Sequence, residues 1–393
     1  MVHPGLIVAQ EASWPGLRGR RLGILANHTA VDLNGTPLWD VARTAGLDVQ
    51  VVLGPEHGLW GIEQDMVPVR GGRDPLTGLP VVSLYGEDAG SLAPDPGVLA
   101  GLDAVVFDIQ DVGSRYYTYA ATLHRLLRAV SGRGPAVVVL DRPNPIGGRL
   151  VEGALLEHGF ESFVGQARMV NRHGLTVGEL ARWLVAIEGL DVDLEIVPCR
   201  GWTRGAIAEE PWSTPWIPPS PNMPTPQTAL TYPGACFLEG TGLSEGRGTT
   251  TPFEMLGAPW LDDPVPICDA LNKTWEGLRC RPAWFRPGFQ KHDGAICGGV
   301  FVHVTAPERF RPVRAYLDLI RRIRHRWPRD FTWRAEAYEF VHDIPAFDLL
   351  AGGTWARDWI EADGTPEELG ALLAPQEEEW LETRRPYLLY SNP

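Results

Sequence analysis

The sequence predicts an α/β fold: a Rossmann-like parallel sheet domain with a second, smaller α/β domain. Three observations predict it. Short apolar runs alternate with helix-period segments through the first 200 residues, each run ends in a tight polar cluster, and the chain changes character after residue 200. A βαβ succession implies a parallel sheet with right-handed crossovers. In such sheets ligands bind outside the carboxyl ends of the strands.

The elements follow in order. Leu22–Ala26 is the first strand and runs into Asn27-His28-Thr29. Thr36–Ala45 reads as a helix, and Val49–Leu53 as a strand that ends in Pro55-Glu56-His57-Gly58. A Gly-, Asp- and Pro-rich loop, Gly58–Gly78, follows; loops of that length are usually functional or mobile. Leu79–Leu84 ends in Tyr85-Gly86, and Ala104–Phe107 ends in Asp108-Ile109-Gln110-Asp111. Tyr119–Val130 has apolar positions at helical spacing. Ala136–Leu140 ends in Asp141-Arg142-Pro143-Asn144-Pro145. Thr176 with Glu179 three residues on is a capping box opening a helix to Glu188, and Leu194–Pro198 is a sixth strand.

Residues 201–235 are dominated by Pro and Trp, which excludes helix and central strand. Their Trp residues and single Met predict an ordered segment wrapped along a surface. Beyond it, Ala295–Val304 reads as a strand, Phe310–His325 as an amphipathic helix and Pro366–Tyr387 as largely helical. The expected division is residues 1–235, a catalytic domain with its wrapping segment, and 236–393, a smaller domain closing the cleft.

Bulk properties narrow the function. A chain of 393 residues is long for one core. Its net charge of -14 argues against a nucleic-acid surface but allows a small anionic ligand held by a few arginines. The five cysteines lack C-x-x-C spacing, so neither a disulfide framework nor a zinc site is indicated, and no metal or cofactor is expected. Neither a signal-peptide pattern nor an apolar run of membrane-spanning length is seen, which suggests a cytoplasmic protein without a membrane partner. Oligomeric state is not readable.

Candidate chemistry gathers at the strand ends. Glu56 beside His57 and Gly58 is a carboxylate with space around it; in a partly apolar pocket it would serve as a general acid. Asp108 and Asp111, flanking Gln110, suit a metal or substrate hydroxyls. Arg115, Tyr116, Tyr117 and Tyr119 follow the Gly113 turn; three tyrosines are too many for one core face, and a Tyr hydroxyl stabilises charge or donates a proton. Asp141 and Asn144 suit sugar hydroxyls, and Arg142 suits a carboxylate. The run Gly240–Thr250, with Glu245 and Arg247, lacks the phosphate-loop pattern and reads as a loop closing on a ligand. The residues alone leave open a metal-dependent hydrolase using His57, Asp108 and His173, and a non-catalytic sugar-binding protein.

Several segments together resemble one family. GPEHG (54–58), TGLPVVSLYG (77–86), VFDIQDVGSRYYTY (106–119), LDRPNPIGG (140–148), VEG (151–153), RHGLTVGEL (172–180), PSPNMPT (219–225), YPG (232–234) and LEGTGLSEGRGTTTPFEMLGAPW (238–260) are similar, in order, to the exo-β-N-acetylmuramidase family often called NamZ. The resemblance implies a Rossmann-like larger domain, a smaller second domain and a cleft between them. It implies hydrolysis releasing N-acetylmuramic acid from the non-reducing end of peptidoglycan-derived glycans, with a Glu and a Tyr as catalytic pair. The Glu corresponds to Glu56; Tyr85 and the Tyr116–Tyr119 group, with Tyr117 taken from it, are the candidates for the Tyr. Asn27, His57, Asp108, Gln110, Asp111, Arg115, Tyr119, Asp141, Arg142, Asn144, Asn222, Glu245 and Arg247 are then expected to hold substrate. The chain departs from the family's usual pattern at His28, where Gln is more usual, and at Trp60, where Arg often follows. Arg115, Arg142 and Arg247 become the candidates for the lactyl carboxylate.

Overall fold

The computed structural model describes residues 1–132, 134–208 and 212–391. Its larger sheet holds β1 (Arg21–Ala26), β2 (Asp48–Gly54), β3 (Gly72–Arg73), β4 (Pro80–Ser83), β5 (Ala104–Asp108), β6 (Ala136–Leu140) and β7 (Leu194–Val197), in the order β3-β4-β2-β1-β5-β6-β7. All neighbours are parallel except β3, which runs antiparallel to β4. This short edge strand lies inside the stretch that the sequence reads as loop. Two residues of GR carry no strand pattern of their own.

Alternation along the strands explains why the sheet is covered on both faces. Leu22 and Ile24 of β1, Ala104 and Val106 of β5, and Val138 and Leu140 of β6 join one apolar cluster with Leu6, Trp14 and Trp39. Leu25, Val105, Phe107, Val137 and Val139 face the other way, into a cluster with Leu123, Leu127 and Trp183. The helices Gly5–Glu11 and Leu38–Thr44 cover the first face; Tyr119–Val130 and Val177–Glu188 cover the second. The capping box at Thr176 forms as expected: its hydroxyl accepts from the Glu179 amide (3.3 Å), and the Glu179 carboxylate accepts from the Thr176 amide (3.1 Å).

The second sheet is antiparallel, β8 (Met255–Ala258), β9 (Leu278–Phe285) and β10 (Cys297–Val304), in the order β8-β10-β9. Helices Pro226–Ala235 and Pro312–Arg326 pack against each other beside it. The last long helix, Pro366–Arg384, returns to the first sheet. There the Trp380 indole donates to the His173 carbonyl (2.9 Å) and packs edge-on against Trp183 at 4.9 Å. One apolar cluster thus runs from Leu25 through both sheets to Trp380. Among the described residues no helix is long and apolar enough to cross a membrane.

The strand order reverses between β1 and β5. In open α/β sheets such a reversal marks the ligand crevice. Here the Pro/Trp segment fills it. His28 Nε2 lies 2.7 Å from the Pro218 carbonyl, and the Tyr119 hydroxyl donates to the Pro219 carbonyl at 2.6 Å. Asn27 donates to the Tyr119 oxygen (3.1 Å) and to the same carbonyl (3.4 Å). A void of about 10 Å³ is left among Thr29, Gln110, Arg142 and the stretch Trp212–Ile217. Residues 209–211 of the wrapping segment lie outside the described residues; Trp212–Pro219 is ordered against the sheet. Pro226–Ala235, however, is a helix, against the expectation for 201–235. Pro226 sits in the first turn, where its missing amide is not needed, and the Thr225 hydroxyl caps the Thr228 amide at 3.2 Å.

Candidate active site

The open site sits to one side of that filled crevice, over the ends of β2 and β4. After β2 the backbone enters the left-handed region at His57 (φ 67°) and Gly58 (φ 80°), which turns the chain sharply beneath Glu56. For histidine this conformation is uncommon and mildly unfavourable. His57 Nδ1, 2.8 Å from the Glu63 carbonyl, fixes the return. Glu56 is only 2% exposed. One of its oxygens accepts from the Thr118 hydroxyl at 2.5 Å; the other accepts from the Met66 amide at 3.4 Å. Thr118 precedes the helix Tyr119–Val130 without capping it, so its hydroxyl is available to the carboxylate.

Glu56, His57, Asp65, Tyr117, Asn222, Glu239, Arg247 and Glu339 line one inner cavity of about 40 Å³. It shares Asp65 and Glu239 with an adjoining cleft of about 630 Å³ walled by Trp260, Lys291, His292, Trp333 and Arg334. The first sheet therefore supplies one wall and residues beyond 236 the other.

Tyr85, at the end of β4, donates its hydroxyl to Glu339 at 3.0 Å. Burial, then the Glu56 and Glu339 carboxylates, push its pKa far above the ordinary tyrosine range. Burial and the facing Glu56 likewise raise Glu339 well above the carboxylate range. Arg247 bridges Glu245 (2.7 Å), Glu239 (2.9 Å) and Asp65 (3.0 Å), while Lys291 lies 2.8 Å from Glu245. Burial opposes ionisation of Glu245, but Lys291 and Arg247 hold it down at about 2. The Tyr117 hydroxyl, beside Ser220, has no partner in good hydrogen-bond geometry among the described residues.

Glu56, His57, Tyr117, Asn222 and Arg247 meet at the inner cavity, Glu245 lines the outer cleft, and Tyr85 reaches Glu339. Asn27 and Tyr119 hold the proline segment instead. Other expected substrate-holding residues are engaged within the fold. Asp108 pairs with Arg142 at 2.5 Å, both buried. Gln110 donates to the Asp111 and Pro143 carbonyls (2.7 and 3.0 Å). Asp111 accepts from the Gly113 amide at 2.6 Å, in a turn that Gly113 makes at φ 80° with no room for a Cβ beside Asn144. Arg115 donates to the carbonyls of Ala154, Met169 and Leu350 (2.8–2.9 Å). Asp141 accepts from the Gly178 amide (2.7 Å) and from the Thr176 and Tyr390 hydroxyls (2.8 and 2.5 Å). Asn144 donates to the Leu175 carbonyl at 2.9 Å. Of the three arginines weighed for the lactyl carboxylate, only Arg247 lines the cavity. Trp60 points away from it, toward Asp74 (3.1 Å) and Trp39.

The sequence reading did not single out Asp65, Thr118, Glu239, Lys291, Arg334 or Glu339. Glu239 lies in the LEGTG run already noted; Glu339, in AYEFVHD, has no local signal. Among the described residues no three His, Cys, Asp or Glu side chains converge as a metal-holding group; His57, Asp108 and His173 each have other partners.

A buried glutamate facing a second carboxylate in a cleft that both parts of the chain close is the equipment of a glycoside hydrolase. The chain belongs to the exo-β-N-acetylmuramidase NamZ family, matching its N-terminal model over residues 22–227 and its C-terminal model over 230–390. It is 37% identical over 376 residues to the peptidoglycan β-N-acetylmuramidase NamZ of Bacillus subtilis (strain 168), covering 95% of this chain and 88% of that one. Two crystal structures of DUF1343 family proteins from Bacteroides fragilis share the fold. One has a TM-score of 0.88 at 30% identity over 99% of both chains; the other 0.77 at 27% over 100% of both.

Proposed function

We propose that Glu56 is the general acid of an exo-β-N-acetylmuramidase releasing N-acetylmuramic acid from the non-reducing end of peptidoglycan-derived glycans. This protein is a glycosidase. The observation that carries the assignment of Glu56 is its position: a buried carboxylate, oriented by the Thr118 hydroxyl at 2.5 Å, at the inner end of a cleft closed by both parts of the chain.

Glycoside cleavage needs an acid to protonate the leaving oxygen and a site that stabilises positive charge at the anomeric carbon. Glu56 supplies the proton. The carboxylates of Asp65, Glu239 and Glu245, only partly neutralised by Arg247 and Lys291, give the site a negative field suited to an oxocarbenium-like centre. The Tyr117 hydroxyl, which lacks a well-aligned partner among the described residues, and Asn222 offer hydrogen bonds to the sugar. Arg334 and Lys291, on the cleft wall, are the cations nearest to hand for the lactyl carboxylate. The leaving sugar extends along the cleft over Trp333 and Trp260, whose faces suit a pyranose ring.

Residues 1–235 act as the catalytic part and 236–393 as the part that closes the cleft. The five free, buried cysteines fit work in a reducing compartment, the cytoplasm. Incubation with the disaccharide MurNAc-GlcNAc and mass analysis of the products tests the reading. Free N-acetylmuramic acid is the expected product; bound but uncleaved disaccharide would favour a sugar-binding protein instead.

A further inference from the structure

Resting on the reading of Glu56 above, we infer that the tip of the loop after β2, Gln64-Asp65-Met66, is a gate that must swing away before a sugar can reach Glu56. The first observation is size. The cavity at Glu56 measures about 40 Å³. A water takes up about 10–15 Å³ of such space, and sites for small organic ligands run to roughly 300–1,000 Å³. The cavity therefore holds a few waters and no pyranose ring. The adjoining cleft, about 630 Å³, does hold one. Substrate fits the cleft and is kept from the acid.

Two residues line both spaces, Asp65 and Glu239, and Met66 lines the cleft beside Asp65. Glu239 belongs to the buried turn Cys236–Gly240 and cannot give way without the core around it. The tip is held differently. Its ends are tied to the first sheet's side: the Glu63 amide donates to the His57 carbonyl (3.3 Å), and the Val69 amide to the Tyr85 carbonyl (2.7 Å). Between those ties the backbone makes one bond within the tip, Val67 amide to Gln64 carbonyl (3.3 Å), and one to the Glu56 carboxylate, from the Met66 amide (3.4 Å). No residue from Gly61 to Arg70 is buried. Met66 lies in the left-handed region at φ 59°, unfavourable for a residue with a side chain.

The rest of the hold is side chains reaching across the cavity. Gln64 accepts from Asn222 (2.8 Å), Asp65 accepts from Arg247 and Gln290 (3.0 Å each), and Arg334 reaches the Met66 sulfur (3.7 Å). A segment with few buried contacts and few backbone bonds opens locally at low cost. Behind it a groove of about 560 Å³, lined by Gly58, Ile62, Glu63, Val67 and Pro68, gives the tip room to move. Opening does two things for the reaction. It joins cavity and cleft into one site large enough for the sugar. It also takes the Met66 amide off Glu56, freeing the carboxyl oxygen that Thr118 does not touch to meet the leaving oxygen.

The test uses the full-length protein carrying Gln64→Cys and Asn222→Cys. A short bis-methanethiosulfonate joins the two thiols and holds the tip shut, and dithiothreitol releases it. Methyl methanethiosulfonate caps both thiols without joining them. The chain's own five cysteines are buried. The reference is the same variant before treatment. Linked protein should lose turnover of MurNAc-GlcNAc and regain it with dithiothreitol, while capped protein stays within about threefold of the reference. Turnover by linked protein, or an equal loss in capped protein, would overturn the gate. Hydrogen exchange on wild type gives a second reading that needs no variant. The amides of residues 64–67 should exchange faster than those of β2 and β4, and slow when N-acetylmuramic acid saturates the site. Exchange as slow as the strands', or unaltered by the sugar, would also overturn the gate. If wild type releases no N-acetylmuramic acid, the function proposed above falls by itself. The gate is then read from binding of the disaccharide: linked protein should lose the affinity that capped protein keeps, and equal affinity, or no binding by any form, overturns it.

Discussion

The ends of β2 and β5 carry similar chemistry and do different things. Each presents a buried acid, Glu56 or Asp108, beside further polar groups. At β5 the acid is paired with Arg142 at 2.5 Å, and the crevice above is filled by the Pro/Trp segment. At β2 the acid accepts from the Thr118 hydroxyl and the Met66 amide, has no cation paired with it among the described residues, and shares its cavity with a second carboxylate, Glu339. The difference teaches that a strand end becomes a site only when its neighbours leave it unsatisfied. The usual crevice of this fold is occupied by the protein's own chain, and the cavity proposed as the active site lies two strands along, toward β4.

Breaking this comparison at β2 should have the largest effect on activity. Glu56→Gln keeps the side chain's shape and one of its two hydrogen-bond acceptors, but its amide nitrogen only donates and it holds no transferable proton. Turnover of a muramic-acid glycoside should fall about 10²–10⁴-fold, with Tm little changed by calorimetry. At β5 the reverse is expected. Arg142→Leu strands the Asp108 carboxylate in a buried site and should cost about 3–5 kcal/mol in denaturant unfolding, while the folded fraction keeps its kcat.

Asp141, at the end of β6, sharpens the comparison through pH. Burial raises its carboxyl from 3.8 to about 6, against the bonds from Tyr390, Gly178 and Thr176. The folded state holds this proton more tightly than the unfolded chain, so the group's contribution is full below about pH 4 and is lost as pH rises through 6. Asp141→Asn should remove a component on the order of 3 kcal/mol from the pH dependence of unfolding over that window. The smallest effect is expected at Tyr117→Phe: loss of one neutral hydrogen bond to the sugar, about 1 kcal/mol, seen as a severalfold rise in KM.

Much of this fold was legible because its signals are local. The apolar runs of the large sheet, the capping box at Thr176 and the helix Tyr119–Val130 are each written in a few adjacent residues. The two-residue β3 is too short to show a period, and the antiparallel order of the second sheet depends on long-range pairing. The site divides in the same way. Glu56 and Tyr85 stand out as polar residues ending apolar runs. Asp108, Asp141 and Arg142 stand out identically, and only the partners at Arg142, Gly178 and Tyr390 reveal that they are engaged inside the fold. Glu339 reaches Tyr85 across 254 positions, through a left-handed turn that lacks the Asn or Gly that would mark it.

The most direct test of the contrast between β2 and β5 is one paired assay. The rate of N-acetylmuramic acid release from MurNAc-GlcNAc is measured for Glu56→Gln and Asp108→Asn, each normalised to its folded fraction. Release should be lost in Glu56→Gln and near wild type in Asp108→Asn, which should instead show the lower Tm. Normal release by folded Glu56→Gln, with loss of release in folded Asp108→Asn, would contradict the account and move the chemistry to the crevice between β1 and β5.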